Sequence, residues 1–277
     1  MKKGKRYNKN LTKQLYYCKA CNRKFTPDDC FWKMKNTKET ITEAIDLHDK
    51  GLSYDKVSNH LHGHHNVKVS GRSVLNWVIK YADKLGKFVC SLVPEIKGRI
   101  HMDEVVFKVK KKHKYYWHAK DSKTKFKFSG NLKTRSYEKG AKPLFKQIKQ
   151  RCYEQFMQRK DNKPIRFVSD GLEHYMKGFK KFFNRIAVIT HGVPIACKKH
   201  KLEHNNNPIE RDNSRLKQRY YSMRGFKDTE SAEEFLHLSD IMYNFTYVPL
   251  NMRVTPAEAA GIKLNLGRNK LLSLIEI

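Results

Sequence analysis

The order of hydrophobic patterns between residues 99 and 190 is the feature that most constrains the fold of this chain. Three segments alternate or are rich in aromatic and β-branched residues, which predicts β-strands over 99–109, 114–120 and 125–129. A helical pattern follows, and after it come a short apolar strand, a second helix and a fifth strand, at 137–159, 165–170, 173–183 and 186–190. We therefore expect an antiparallel meander that two later strands join in parallel through helices.

This element order is that of an RNase H-like α/β fold, a mixed sheet with flanking helices. Two more helices are predicted at about 207–219 and 230–244. The predicted division of the chain is a basic arm with a partial zinc-ribbon-like segment, a helix-turn-helix domain, a catalytic domain and a C-terminal tail, over residues 1–34, 35–90, 96–250 and 251–277.

Residues 37–86 have the pattern of three helices, each preceded by a residue suited to capping: Thr37 or Thr40, then Ser53, then Ser70. Three short helices of this kind resemble a helix-turn-helix unit. The third helix would then present four residues to DNA: Arg72, Ser73, Asn76 and Lys80. The alternative is a small all-α bundle that only packs or dimerises.

Two loops are predicted around the third helix. A His/Gly-rich stretch contains His60, His62, His64 and His65, and we interpret it as a mobile loop rather than a metal site. Residues 86–98 contain Gly86, Pro94 and Gly98 and are predicted to be a linker.

Cys18 and Cys21 form a Cys-x-x-Cys turn before a basic-aromatic strand, as in one half of a zinc ribbon. Cys30 could add a third thiolate, but no fourth ligand is evident. We favour a half-site without metal, and a DNA-contacting zinc module is the alternative. Six cysteines in a chain of this length predict no disulfide framework, and with no signal peptide or membrane span predicted we expect a reducing cytoplasm.

The net charge of +31, from 58 Lys plus Arg against 27 Asp plus Glu, predicts a polyanionic partner. Nucleic acid fits this better than a membrane surface, because no strongly amphipathic basic helix rich in Trp and Leu is apparent. Lysine clusters and two arginines are the candidate phosphate contacts: Lys110, Lys111, Lys112, Lys198, Lys199, Arg211 and Arg219. A merely solvated loop is the alternative for each lysine cluster.

Three acids stand where strands and helices of such a sheet meet. Asp103 lies in the first strand, Asp170 ends the fourth, and Glu210 opens a helix that also carries Lys217 two turns later. Three converging carboxylates repel one another unless cations lie between them, and Mg²⁺ prefers carboxylate oxygens and water. If the three acids converge, two such ions can drive phosphoryl transfer.

At these positions the sequence resembles the DDE transposases of prokaryotic insertion sequences, closest to insertion-sequence family six and its archaeal relatives. The similar segments span about residues 15–265 and include HMDEV (101–105), YYWHAKD (115–121), VSDGL (168–172), NNPIERD (206–212), KQR (217–219), MRGFK (223–227), YNF (243–245) and TPAEAAGI (255–262). Upstream, KGLSYDKV (50–57) resembles the family's helix-turn-helix.

The resemblance implies that Asp103, Asp170 and Glu210 hold two Mg²⁺ or Mn²⁺ ions, with Lys217 beside the phosphate. The enzyme would cut the ends of its own element and join the exposed 3′-OH to target DNA. It would bind double-stranded DNA as a dimer or larger assembly and associate with the prokaryotic nucleoid. The alternatives are a catalytically idle DNA-binding protein descended from a transposase, and a nuclease acting on hybrids.

Two departures from the family pattern matter. The first Cys pair of the zinc ribbon is missing, which puts recognition of the element ends in doubt. The spacing from Asp170 to Glu210 is longer than usual for the group, and we assign the extra residues to 192–204.

Overall fold

The structure is a computed structural model that describes residues 1–8, 11–26, 30–191 and 206–277. The chain divides into two compact units. The first comprises Met1–Tyr81 and Leu266–Ile277, and the second comprises Ala82–Asn265.

The first unit begins with a small antiparallel sheet of three strands, β1 (Lys2–Asn8), β2 (Leu11–Tyr17) and β3 (Lys24–Phe25). The Cys-x-x-Cys turn connects β2 to β3, so the predicted strand after the cysteines is present. The first two strands were not predicted, because their lysine-rich sequence has no apolar alternation. The basic arm is therefore a hairpin.

Three helices follow, α1 (Lys38–Asp49), α2 (Tyr54–His65) and α3 (Gly71–Ser91). Thr37, Ser53 and Ser70 each accept a hydrogen bond from the backbone N–H three residues on, which confirms the predicted helix starts. Apolar residues of the three helices are fully buried and form the core of this unit, among them Ile41, Ala44, Ile45, Val57, Leu61 and Val74.

The His-rich loop predicted near these helices is wrong, and the linker predicted at 86–98 begins only after Ser91. The His-rich stretch is the last part of α2, which ends only at Asn66, where a left-handed residue donates its N–H to the carbonyl of His62. Helix α3 continues past Gly86 to Ser91. Burial of Val89 outweighs the low helix propensity of Gly86, about 1 kcal/mol below that of alanine.

The second unit contains a five-stranded sheet built from β4 (Ile100–Val109), β5 (Lys112–Asp121), β6 (Lys127–Lys133), β7 (Ile165–Ser169) and β8 (Ala187–His191). The strand order is β6-β5-β4-β7-β8. The first three strands pair antiparallel, and β7 and β8 join in parallel. The predicted RNase H-like mixed sheet is therefore confirmed.

The third strand of the meander lies later in the chain than predicted. The carboxylate of Asp121 accepts the N–H groups of Lys123 and Thr124 at 2.8 and 2.7 Å. Lys125 has a φ of +61°, which a strand does not accommodate. The segment expected to begin the strand is therefore a turn, and pairing starts at Lys127.

Helices cover the sheet. A single π-helical turn at Tyr137–Ala141 precedes α4 (Lys142–Arg159), and then come α5 (Glu173–Phe183), α6 (Asn207–Ser222), α7 (Thr229–Phe245) and α8 (Pro256–Ala259). The predicted helices of this region are all present. The last helix, α9 (Lys270–Glu276), belongs to the first unit.

Each face of the sheet has an apolar core. Buried phenylalanines pack ring against ring on β7, α4 and α5: Phe145, Phe156, Phe167, Phe179 and Phe183. A second cluster of buried residues on the meander, α6 and α7 includes Val105, Phe107, Tyr116, Leu216 and Leu236. Across the residues that the structure describes, none of the helices has the length and hydrophobicity needed to span a bilayer.

Candidate active site

Asp103 and Asp170 lie side by side near the middle of the five-stranded sheet. Asp103 lies on β4, and Asp170 directly follows the last residue of β7. The two strands are parallel neighbours with His101 opposite Val168, and continuing this register sets Asp103 opposite Asp170. The structure therefore brings together two of the three acids singled out in the sequence.

Glu104 completes an acidic cluster of Asp103, Glu104 and Asp170, in which one carboxylate oxygen of each residue lies within 4.8 Å of the others. The Glu104 side chain is 5% exposed, and both its oxygens have donors. Arg135 Nη2 donates to Oε1 at 2.8 Å, and the Tyr175 hydroxyl donates to Oε2 at 3.0 Å. Sequence reasoning missed Glu104, because adjacent strand residues point to opposite faces. Its position directly beside Asp103 was the available signal.

The protein compensates the charge of Asp103 poorly. Burial raises the pKa of Asp103 to about 7, and the negative charges of Glu104 and Asp170 add to the rise. Two hydrogen bonds oppose it, from the backbone N–H of Glu104 at 2.9 Å and from the Asn213 amide at 2.6 Å. Three carboxylates this close, one of them partly desolvated, favour the binding of a cation with a preference for oxygen ligands.

Asn213 links helix α6 to the acidic cluster. Its Nδ2 donates to Asp103 Oδ2, so its Oδ1 must accept from His118 Nε2, 2.7 Å away. Burial lowers the pKa of His118, so the ring is neutral with its proton on Nε2. Sequence analysis identified neither Asn213 nor His118. The one available signal for Asn213 was a polar residue a single turn after Glu210.

Hydrogen bonds also hold the start of α6 against β4. Asn206 is buried directly before the helix, and its Nδ2 donates to the carbonyl of Met102 at 3.2 Å. Its Oδ1 lies 3.2 Å from Nδ1 of the buried His101. Two asparagines seven residues apart therefore hold one side of α6 against the strand that carries Asp103.

Helix α6 also contributes to a buried ion network, which consists of Lys120, Lys127, Asp212 and Asp240. Lys120 Nζ lies 2.6 Å from Asp212 Oδ2, and Lys127 Nζ lies 3.3 Å from Asp212 Oδ1 and 3.6 Å from Asp240 Oδ1. Both lysines lie over the ring of Tyr243. Two lysines and two aspartates thus meet inside the second unit, at the junction of β5, β6, α6 and α7.

The pKa values of this network follow from burial and pairing. Burial by itself would raise the pKa of Asp212, but Lys127 and Lys120 outweigh it and lower the value to about 2. Burial also lowers the pKa of Lys127, while Asp212 and Asp240 act in the opposite direction. The network therefore holds the ionised form of Asp212.

Glu210 and Lys217 are exposed on α6, together with Ser214 and Tyr221, and the four form the predicted stripe along one side of the helix. The Glu210 carboxylate is not one of the three that lie within 4.8 Å of one another. Residues 192–205, which precede Asn206, lie outside the described residues.

The candidate phosphate contacts of the second unit are mostly exposed. Lys110 and Lys111 have left-handed φ values in the turn between β4 and β5, and Lys112 begins β5. Arg211 is exposed on α6, whereas the half-buried Arg219 lies over the ring of Phe235 at 5.5 Å. The cluster predicted at Lys198 and Lys199 lies outside the described residues.

In the first unit, the candidate DNA contacts lie on α3. Arg72, Asn76 and Lys80 are exposed and four residues apart, so they follow one face of the helix. Ser73 is half-buried, and its Oγ lies 3.1 Å from Ser70 Oγ at the helix start.

Cys18 and Cys21 flank the turn between β2 and β3, and both are free thiols. A hydrogen bond from the Cys21 backbone is the main cause that lowers the pKa of the Cys18 thiol. Within the described part of the chain, neither cysteine joins a group of three potential ligand atoms lying within 4.8 Å.

Two solved viral structures share limited similarity with the chain. One is the catalytic core domain of HTLV-2 integrase in complex with magnesium in a trimeric form, with a TM-score of 0.38, 13% identity, and coverage of 61% of this chain and 99% of that one. The other is the simian T-cell lymphotropic virus intasome in complex with the PP2A regulatory subunit B56 gamma, with a TM-score of 0.37, 11% identity, and coverage of 78% and 72%.

No curated protein matches the sequence. The family model for the DDE domain of IS240-type transposases matches residues 97–246, which is more than half of the chain and includes the whole acidic cluster, the buried ion network and α6. The chain therefore belongs to the IS240 family of DDE transposase domains.

Proposed function

We propose that this protein is a DNA transposase that cleaves the ends of an insertion sequence and joins their 3′-OH groups to target DNA. Its family gives a transposition-type function, and the finer assignment depends on the acidic cluster. The observation that carries it is the pairing of Asp103 with Asp170 at the centre of the sheet, where the pKa of Asp103 is raised to about 7.

The donor atoms of the site suit Mg²⁺ or Mn²⁺, since carboxylate oxygens are the ligands that these hard ions prefer. In our proposal Asp103, Asp170 and Glu210 hold two such ions. When bound, the ions would activate a water or a 3′-OH for attack on the phosphodiester and stabilise the leaving oxygen. Asn213 holds the Asp103 carboxylate in place by its hydrogen bond of 2.6 Å.

The position of α6 supports a role for Glu210. Asn213 contacts Asp103 directly, and Glu210 lies three residues earlier, so the two side chains are neighbours on the helix surface. Glu104 is closer to Asp103, but Arg135 and Tyr175 already occupy its oxygens. We therefore assign Glu104 a positioning role and Glu210 the third metal-binding role.

Positive side chains supply the binding of DNA in this proposal. Lys217 would contact a phosphate next to the metals, and Lys110–Lys112 with Arg211 would hold the backbone of double-stranded DNA. Arg72, Ser73, Asn76 and Lys80 on α3 would contact the terminal repeats. Binding through many phosphate contacts becomes weaker as salt rises. Because two element ends must be held together, the active form would be a dimer or a larger assembly.

The test is a strand-transfer assay with Mg²⁺ and duplexes that carry the terminal repeats flanking the gene. Asp103→Ala, Asp170→Ala and Glu210→Ala should each lower the joining rate at least about thousandfold, equal to about 4 kcal/mol of activation free energy. DNA binding should persist in all three. Glu230→Ala is the matched control, because Glu230 is also an exposed acid in the first turn of a helix.

Glu104→Gln separates the two possible third ligands. The proposal expects it to keep more activity than Glu210→Ala. If Glu210→Ala joined ends at the normal rate while Glu104→Gln abolished joining, the metal ligands would be the acidic cluster itself. Wild-type protein that bound the repeats without any cleavage would favour the catalytically idle DNA-binding protein.

A further inference from the structure

Helices α1 and α2 of the first unit bring three potential metal ligands to one point. Glu43 Oε1 lies 3.5 Å from His60 Nε2 and 2.9 Å from His65 Nε2. One ligand atom of each residue lies within 4.8 Å of the others. Glu43 and His60 are half-buried and His65 is exposed, so the point is open to solvent on one side. We call these three residues the His/Glu cluster.

The helical conformation of the His-rich stretch creates this cluster. Residues Val57 and Leu61 of α2 are buried in the core of the unit, which fixes the orientation of the helix. His60 precedes Leu61, and His65 lies in the last turn, just before the left-handed Asn66 that ends the helix. Glu43 occupies the facing part of α1, between Thr42 and Ala44, which are both buried. The three side chains are thus attached to rigid elements.

The spacing of the ligand atoms suits a small tetrahedral ion. Zinc binds imidazole nitrogen and carboxylate oxygen at about 2.0–2.2 Å, so two ligands of one tetrahedral ion are about 3.4 Å apart. The distances of 2.9 and 3.5 Å from Glu43 to the two histidines bracket that value. Two imidazoles with one carboxylate are a donor set that transition metals bind, whereas Mg²⁺ prefers oxygen ligands alone.

Two further histidines of α2 lie outside the His/Glu cluster. His64 lies one turn after His60, and their ring centroids are 4.4 Å apart, but His64 is not one of the three ligands. His62 is exposed on the same helix and also stands outside the cluster. Of the four histidines on this helix, His60 and His65 therefore converge on Glu43, and His62 and His64 do not.

We propose that Glu43, His60 and His65 form a binding site for one Zn²⁺ ion, with water as the fourth ligand. The ion would cross-link α1 to α2, the two helices that precede α3. This site is separate from the acidic cluster and does not depend on the proposed function. The competing interpretation is an ion pair between protonated histidines and Glu43, with no metal involved.

The test titrates Zn²⁺ into the full chain by calorimetry, comparing the wild type with His60→Ala, His65→Ala and the matched control His62→Ala. We expect His62→Ala to bind as many zinc ions as the wild type, and His60→Ala and His65→Ala to bind one fewer. Any zinc held by Cys18 and Cys21 is common to all four proteins, so the difference reports the His/Glu cluster alone. Zinc should also raise the unfolding temperature of the wild type and of His62→Ala more than that of His60→Ala.

Glu43→Gln provides a second variant in case an alanine variant fails to fold. It keeps the shape of the side chain and removes its charge, and we expect the affinity of the site for Zn²⁺ to fall at least tenfold. Equal zinc stoichiometry and affinity in His62→Ala, His60→Ala and His65→Ala would overturn the proposal. An unchanged zinc affinity in Glu43→Gln would overturn it as well and leave the ion pair as the explanation.

Discussion

Two groups of charged side chains in the second unit differ in how their charges are compensated. The buried ion network pairs two lysines with two aspartates, and each of the four side chains is at most 7% exposed. The acidic cluster instead sets three carboxylates within 4.8 Å, with Arg135 as the cation that contacts Glu104. Both groups contact α6. Its residue Asn213 donates a hydrogen bond to Asp103, and its residue Asp212 accepts one from Lys120.

The pKa values of the aspartates indicate different roles for the two groups. In the buried ion network, Lys127 and Lys120 lower the pKa of Asp212 to about 2, so the lysines of the protein itself compensate that charge. The acidic cluster raises the pKa of Asp103 to about 7, which means that the protein holds its charge at an energetic cost. Such a cost is expected where a ligand will later supply the missing charge.

The largest effect is expected from Lys127→Met in the buried ion network. The variant leaves Asp212 paired with Lys120 and removes the lysine that lies 3.6 Å from Asp240, so the free energy of unfolding should fall by about 3–5 kcal/mol. Urea denaturation measures this change. Lys123→Met, at an exposed lysine, should change it by less than about 0.5 kcal/mol. A loss below about 1 kcal/mol in Lys127→Met would mean that the network is not held by charge pairing.

Asp103→Asn should raise the free energy of unfolding, whereas Lys127→Met lowers it. The folded pKa of about 7 lies above the ordinary value of 3.8, so the folded protein keeps a proton that the unfolded chain releases, and wild-type stability falls as pH rises through this window. Without divalent ions, the variant should match the wild type near pH 4 and exceed it by about 1–3 kcal/mol near pH 8.

Urea denaturation at a series of pH values, with a chelator present, measures the effect of Asp103→Asn. Asp161→Asn, at an exposed aspartate, is the control and should show no such pH-dependent difference. A stability difference that stays constant from pH 4 to pH 8 would contradict the electrostatic account of the acidic cluster.

The smallest expected effect is the stabilisation of the protein by Mg²⁺, which should depend on the acidic cluster and not on the buried ion network. At ten times its dissociation constant, Mg²⁺ should stabilise the wild type by about 1.4 kcal/mol. Lys127→Met should keep this gain, whereas Asp103→Asn combined with Asp170→Asn should lose it. Scanning calorimetry with and without Mg²⁺ measures the gain. An equal gain in the double variant would show that the ion acts elsewhere on the protein.

Local patterns in the sequence were sufficient to predict most of the fold. Alternation and helical spacing gave the strand and helix order, and Ser and Thr positions gave the starts of the first three helices. The proximity of Asp103 to Asp170 could also be predicted, since neighbouring parallel strands carry both. These features depend on residues that are close in sequence or on the general rules of sheet topology.

The remaining features depend on contacts between distant residues. Nothing local distinguishes Lys120 and Lys127 from the many exposed lysines, since only Asp212 and Asp240 make their burial possible. Asn213 could not be linked to Asp103 and His118 before α6 was placed on the sheet. The predicted His loop was wrong because histidine and glycine are weak helix formers, and burial of Leu61 overrides that tendency.

The pairing of β4 with two very different partners has a consequence for folding order. β5 follows β4 after a tight turn, whereas sixty-six residues lie between Asp103 and Asp170 on the β7 side. Contacts of short sequence separation form earlier and at a lower entropic cost than distant ones. During synthesis, the meander can therefore form while β7 is still being made. A chain released before β7 would contain the helices of the first unit that precede it, but only Asp103 and Glu104 of the acidic cluster.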